Sequence, residues 1–118
     1  HVIDIVPTIL EMAGIPKPSN WKNQKVPSAP GKSLVPVFAS DITIQRDHLW
    51  WFHDGHRAVR KGDFKLVSAK KEPWELYDLK TDRAESKNLV NQKPKLKEKL
   101  ENLWNDQVEE FKRMLETK

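Results

Sequence analysis

A chain of 118 residues suffices for one small domain or for a subdomain of something larger. Its net charge of +4, from 21 Lys and Arg against 17 Asp and Glu, is scattered rather than gathered into a block. It therefore lacks the continuous basic footprint of a nucleic-acid binder, while a mild positive bias suits an anionic small substrate. The absence of cysteine excludes disulfides, thiolate metal sites and a cysteine nucleophile within these residues. No run is long and apolar enough to cross a bilayer as a helix, so no membrane partner is expected.

The chain enters an apolar pattern at once, so His1 reads as the middle of a longer protein. Residues 4–13 predict a short helix, with Asp4 as its cap, Pro7 in the first turn and Gly14 at its end. Ile5, Ile9, Met12 and Ala13 form one apolar face, widened by Val6 and Leu10. Such a helix needs a partner surface. The proline-bearing stretch that follows, residues 16–36, predicts irregular extended chain and supplies none. At about twenty residues it is long for a loop inside a compact domain, so it is expected to run over a neighbouring domain.

From residue 47 the pattern changes to short β-prone runs separated by turn dipeptides. Asp54-Gly55 and Lys61-Gly62-Asp63 predict tight turns between strands near residues 47–53, 56–60 and 64–68. A third turn at 70–73 leads to a fourth strand at 74–79. Residues 80–83 form a polar turn, and Asp82 and Glu85 suit the capping of a helical turn closed by Asn88 and Leu89. Pro94 opens a long helix to Thr117, with Leu96, Leu100, Leu103, Trp104, Val108, Phe111, Met114 and Leu115 on one stripe. That stripe is expected to cover one face of the meander rather than to bind a partner. The fold class predicted is α+β: a four-stranded antiparallel sheet packed by a C-terminal helix, preceded by a helix and an extended segment.

Few residues in this order suggest chemistry. His53 and His56 flank the Asp54-Gly55 turn, and a hairpin tip projects groups from a rigid sheet, where imidazole can donate to an anion. As metal ligands they are poor, because residues on either side of a turn do not obviously converge and no further ligand is near. Arg57 suits a bidentate contact with a sulfate, phosphate or carboxylate, and Arg60 and Lys65 suit a cross-strand basic face. Solvated turn residues and a lysine-guarded sheet edge explain the same residues without any ligand. Asp63 and Glu75 as a carboxylate pair, and Ser33 or Thr8 as nucleophiles, have no partners that would activate them. No complete active site is encoded here.

Four segments, in order, resemble the C-terminal part of the type I sulfatase (arylsulfatase) family, within the wider alkaline-phosphatase superfamily. HVIDIVPTILEMAGI is similar to its Asp-Ile-x-Pro-Thr helix, and GKSLVPVF to its Gly-x-Ser-Leu-x-Pro segment. LWWFHDGHRAVRKGDFKLV resembles its strand-turn-strand pattern, and WELYDLKTDRAESKNLV its Glu-Leu-Tyr-Asp-Leu-x-x-Asp-x-x-Glu-x-x-Asn-Leu pattern. The tip departs from the frequent His-Glu-Gly-Asn wording, with Asp54 for Glu and His56 for Asn, and Phe64 stands where Trp is common. The first departure bears on which substrate is read. The second is a volume change in the core.

The resemblance implies that residues 1–45 are the tail end of a catalytic domain and residues 46–118 a C-terminal subdomain packed on it. The parent would hydrolyse sulfate esters of sulfated carbohydrates or aryl sulfates, in the periplasm or outside the cell. Its calcium ion and its formylglycine, made within a Cys/Ser-x-Pro-x-Arg motif that this sequence does not contain, would belong to the preceding domain. This chain would then be inactive alone and would supply packing and a pocket rim. His53, Asp54, His56 and Arg57 are the expected substrate contacts, with no catalytic or metal-binding residue and no cofactor of its own. The rival readings are a non-catalytic interaction module and part of a related phosphate-ester hydrolase.

Overall fold

The computed structural model describes residues 1–27 and 29–116, so the predicted helix end at Thr117 lies outside the described residues. They divide into two compact units, His1–Arg46 and Asp47–Lys118.

In the first unit a 3-10 turn, Val2–Asp4, leads into helix α1, Ile5–Met12. Gly14, at φ +65°, follows the helix as a residue without Cβ readily does. Asp4 stands at the helix N-cap but makes no cap bond. Its carboxylate instead accepts from the Lys32 N–H at 2.9 Å and from the Arg46 guanidinium at 2.8 Å. Burial raises the carboxyl pKa, but the hydrogen bond from the Lys32 N–H and the Arg46 guanidinium oppose it and hold it low. One turn on, the Thr8 hydroxyl donates to the Asp4 carbonyl and accepts from the Leu34 N–H. The two polar residues of the Asp-Ile-x-Pro-Thr pattern thus staple the Gly-Lys-Ser-Leu segment to the helix. Gly31 lies so close that a Cβ there would sit 1.9 Å from the Ile3 carbonyl oxygen.

The proline-bearing stretch is more ordered than its composition suggests. It contains a two-residue hairpin, β1 (Asn20–Trp21) with β2 (Gln24–Lys25), and a short helix α2 (Val35–Ala39). Both central residues of the hairpin, Lys22 and Asn23, have positive φ, the signature of a type I′ turn; Asn tolerates this conformation, and only a longer flanking run would have announced it.

The second unit is the predicted meander: β3 (Leu49–His53), β4 (His56–Lys61), β5 (Phe64–Ser68) and β6 (Glu75–Asp78), antiparallel in sequence order. Asp54 and Gly55 both have positive φ, as the I′ turn between β3 and β4 requires, and Gly62 does so at the next turn. The register lines up Trp50, Val59, Leu66 and Leu76 on one face. Helix α3, Pro94–Glu116, packs its Leu100 and Trp104 there, forming with Val59, Leu66, Trp74 and Leu76 the core of the unit. Burying each of these leucines contributes roughly 1.5–3 kcal/mol.

The Trp104 ring stacks on Trp50 at 5.5 Å and meets Trp74 edge-on at 5.9 Å. Its Nε1 donates to the Trp51 carbonyl, while Trp50 Nε1 donates to the Trp104 carbonyl. Beyond this point the apolar stripe outruns the sheet. Phe111 still meets Trp50 edge-on, but it, Met114 and Leu115 are exposed, because a 23-residue helix spans about 34 Å and strands this short roughly half that.

Residues 79–93 contain turns rather than the expected helical closure at Glu85–Leu89. The Asp82 carboxylate accepts from the Lys87 and Ser86 N–H groups, which holds its pKa low, while Asn88 Oδ1 accepts from Leu76 N–H and Leu89 N–H donates to the Leu76 carbonyl. Asn88 and Leu89 thereby satisfy the outer edge of β6.

Candidate functional site

The hairpin tip brings His53 and His56 together: they are direct cross-strand partners on either side of the turn, so both side chains leave the same face of the sheet. The expectation that two histidines so placed would not converge is corrected by the register, since a two-residue loop makes its flanking residues opposite neighbours. Both are exposed. Asp54 occupies the turn and accepts from Lys70 Nζ at 2.8 Å. A Cβ on Gly55 would meet Lys70 Cγ at 2.9 Å, so the Lys70 stem lies across the tip.

Arg57 is not at this tip cluster. Alternation along β4 sends it to the helix-covered face, where its guanidinium lies 4.2 Å above the Trp74 ring and 5.8 Å from that of Trp104. Glu101 is bound there by Lys97 and by Trp74 Nε1, and its pKa is lowered by the Lys97 hydrogen bond against the opposing effect of burial, with the Arg57 charge contributing. Sequence order alone had placed Arg57 beside His56; the pleat separates them.

The open face, opposite α3, carries three rows. His53 and His56 form the first; Trp51, Ala58, Val67 and Glu75 the second; Leu49, Arg60, Lys65 and Tyr77 the third. Arg60 and Lys65 are direct cross-strand partners, as their spacing suggests. Lys65 Nζ reaches both Glu85 oxygens at 2.7 and 2.8 Å, and Arg60 Nε donates to the Gly62 carbonyl. Tyr77 is buried, and that burial, with Glu75 beside it, pushes its hydroxyl pKa up. A shallow cleft of about 400 Å³ lies over the second and third rows. The Arg60–Lys65 pair on this face follows from sequence spacing, whereas Trp51 beside it does not, being one aromatic among several.

The other candidates do not assemble. Asp63 lies in the β4–β5 turn with its carbonyl accepting from Leu79 N–H, whereas Glu75 begins β6 opposite Val67. The Ser33 hydroxyl oxygen accepts from Val35 N–H. Among the described residues no group of three or more His, Asp or Glu side chains comes together that could hold a metal ion.

Residues 1–113 match the family described as N-sulphoglucosamine sulphohydrolase, C-terminal. The chain belongs to this family. It is 36% identical over 110 residues to an uncharacterized sulfatase of Schizosaccharomyces pombe, the match covering 87% of this chain and 20% of the relative. It is 29% identical over 110 residues to a sulfatase of Formosa agariphila, covering 80% and 19%. Among solved structures, a 2-O GAG sulfatase shares the fold with a TM-score of 0.65 at 24% identity, over 98% of this chain and 26% of that one. Another, solved in complex with its substrate D-glucosamine-2-N,6-O-disulfate, gives a TM-score of 0.60 at 25% identity, over 93% and 24%. The chain thus spans about a fifth to a quarter of the length of these relatives. What this family member contributes is a C-terminal portion.

Proposed function

We propose that the whole protein hydrolyses sulfate esters of a sulfated carbohydrate or aryl sulfate, and that this chain contributes packing and the rim of the substrate pocket. The observation that carries the reading is the match of residues 1–113 to a sulphohydrolase C-terminal family. A solved relative bound to a disulfated glucosamine supports a sulfated sugar as the substrate class. In this reading residues 1–45 are the last part of the catalytic domain. The nucleophile and the calcium ion belong to residues outside this chain, and the parent works in the periplasm or outside the cell.

The rim role falls to His53, Asp54 and His56. The I′ turn fixes both imidazoles on one face at the end of a sheet whose backbone is anchored by Trp104, so their N–H groups can be held toward an anionic or hydroxylated substrate with little ordering cost. Arg57 supports them from the opposite face by stacking on Trp74. The test is sulfate release by the full-length enzyme from sulfated sugars and aryl sulfates, with the matching phosphate esters as comparators. Sulfate release, reduced about tenfold or more in kcat/KM by His53→Ala or His56→Ala without loss of folding, is the expected result. Preference for phosphate esters overturns the sulfatase reading, and unaltered kinetics in both variants reduces the histidines to turn residues.

A further inference from the structure

Resting on the rim role proposed for His53 and His56, we infer that Lys70 is a positioning residue for both. Its side chain clamps the Asp54-Gly55 turn, and the loop between β5 and β6 is shaped to lay it there.

The register puts Lys70 within reach of the tip. Arg57 faces Ser68 across β4 and β5, and continuing that pairing two residues further sets Lys70 opposite Gly55. The lysine stem then runs along the glycine. A Cβ on Gly55 would lie 2.9 Å from Lys70 Cγ, 3.3 Å from its Cδ and 3.5 Å from its Cβ, so consecutive stem carbons cover the place a side chain would need. Gly55 is therefore required twice, for its φ of +84° and for this close approach. At the far end of the stem the ammonium meets Asp54 Oδ1 at 2.8 Å. One side chain thus touches both residues of the turn.

The loop that carries Lys70 is strained. Lys71 has φ +66°, a left-handed conformation disfavoured for a residue with a Cβ, and such strain persists where the surroundings enforce it. Ser68 supplies the enforcement. It is buried, and its hydroxyl donates to the Glu72 carbonyl at 2.7 Å, with the Ala69 carbonyl at 3.0 Å. The Glu72 N–H closes the loop on the Ala69 carbonyl at 3.0 Å. A hydroxyl buried at the end of β5 therefore fixes the turn from which Lys70 crosses the tip.

An exposed ion pair such as Lys70 with Asp54 adds little to stability, because water screens it and two flexible side chains must be ordered. Its consequence here is geometric. His53 and His56 are the residues next to the turn on either strand, so a turn free to rock would move both imidazoles, and a substrate would have to order them on binding. The clamp does that ordering beforehand.

The experiment uses the full-length enzyme, with D-glucosamine-2-N,6-O-disulfate and 4-nitrocatechol sulfate as probes and the one cleaved faster as reporter. Lys70→Ala is expected to raise KM about fivefold, the effect of ordering a side chain anew, with kcat within about twofold of wild type. Its unfolding midpoint should be unaltered. Lys70→Arg, which keeps the stem and the charge, should restore KM. In a variant already carrying His53→Ala and His56→Ala, Lys70→Ala should have no further effect, since the groups it positions are gone. Amide exchange across residues 53–57 should be about fivefold faster in Lys70→Ala, read without any substrate. A wild-type KM in Lys70→Ala overturns the clamp, and so does an equal rise in KM in the histidine-free background. Unaltered kinetics in the histidine-free variant itself overturns the rim role on which the clamp rests. If wild type releases sulfate from neither probe the sulfatase reading falls, while unaltered exchange at the tip overturns the clamp whatever the kinetics.

Discussion

In Asp47–Lys118 most of the deeply buried side chains among those described are apolar, Val59, Leu66, Leu76 and Leu100 with two tryptophans, and Ser68 is the polar exception, whereas in His1–Arg46 the buried residues among those described are Asp4 and Thr8. The apolar residues of the first unit face outward: Ile5, Val6, Ile9 and Met12 are all at least half exposed, as are Ile15 and Trp21. One unit therefore carries its own hydrophobic driving force, and the other is held internally by directional hydrogen bonds that contribute only about 1 kcal/mol each. Polar staples define a shape without stabilising it greatly. In the reading proposed above, the exposed apolar face of the first unit is the part that the catalytic domain would cover.

The sharpest way to break this contrast is to separate the units. Residues 47–118 alone are expected to unfold cooperatively in urea by tryptophan fluorescence, and residues 1–46 alone to show no cooperative transition; a cooperative first unit would erase the distinction. Next in size, Leu66→Ala or Leu76→Ala should lower the stability of the second unit by roughly 2–5 kcal/mol, the cost of a buried cavity. By contrast, Ile9→Ser should alter unfolding of the isolated chain by less than about 0.5 kcal/mol while reducing its self-association in sedimentation.

A third test concerns the staples. Gly31→Ala places a methyl against the Ile3 carbonyl and should detach residues 32–34, seen as loss of the slowed amide exchange at Lys32 and Leu34. Acid should do the same. Because the Asp4 pKa is depressed in the folded unit to about 2, below the roughly 3.9 of an unfolded aspartate, its contribution is fully present above about pH 4. It is lost as the pH falls through 2. Asp4→Asn should remove this acid transition, monitored through the same two amides. A modest effect is expected at Arg57→Ala, about 1 kcal/mol for a half-buried guanidinium stacked on Trp74. A change in substrate KM with unaltered stability would instead return Arg57 to the tip.

Much of the second unit was legible because its signals are local. Asp54-Gly55 and Gly62-Asp63 specify two-residue turns, turns specify register, and register sends Val59, Leu66 and Leu76 to one face. The long helix followed from its stripe, although its last turns pass beyond the sheet. Less was legible where a side chain served a distant backbone. Asp4 reads as a helix cap but is spent on Lys32 and Arg46, 28 and 42 residues away. Asp82 and Asn88 read as parts of a helical turn, yet they bind a loop and a strand edge.

The sequence by itself determined the order of the first helix, the four strands and the long helix, the tight turns between those strands and, through four ordered motifs, the family. Those properties depend on neighbours a few residues apart or on pattern. Only the tertiary structure decided which chemistry-bearing residues meet. Pleating pairs His53 with His56 and turns Arg57 away to Trp74, and the packing of α3 on one face leaves Trp51 and Arg60 together on the other. Side-chain direction alternates residue by residue along a strand. A site on a sheet therefore exists only once register and the covered face are known.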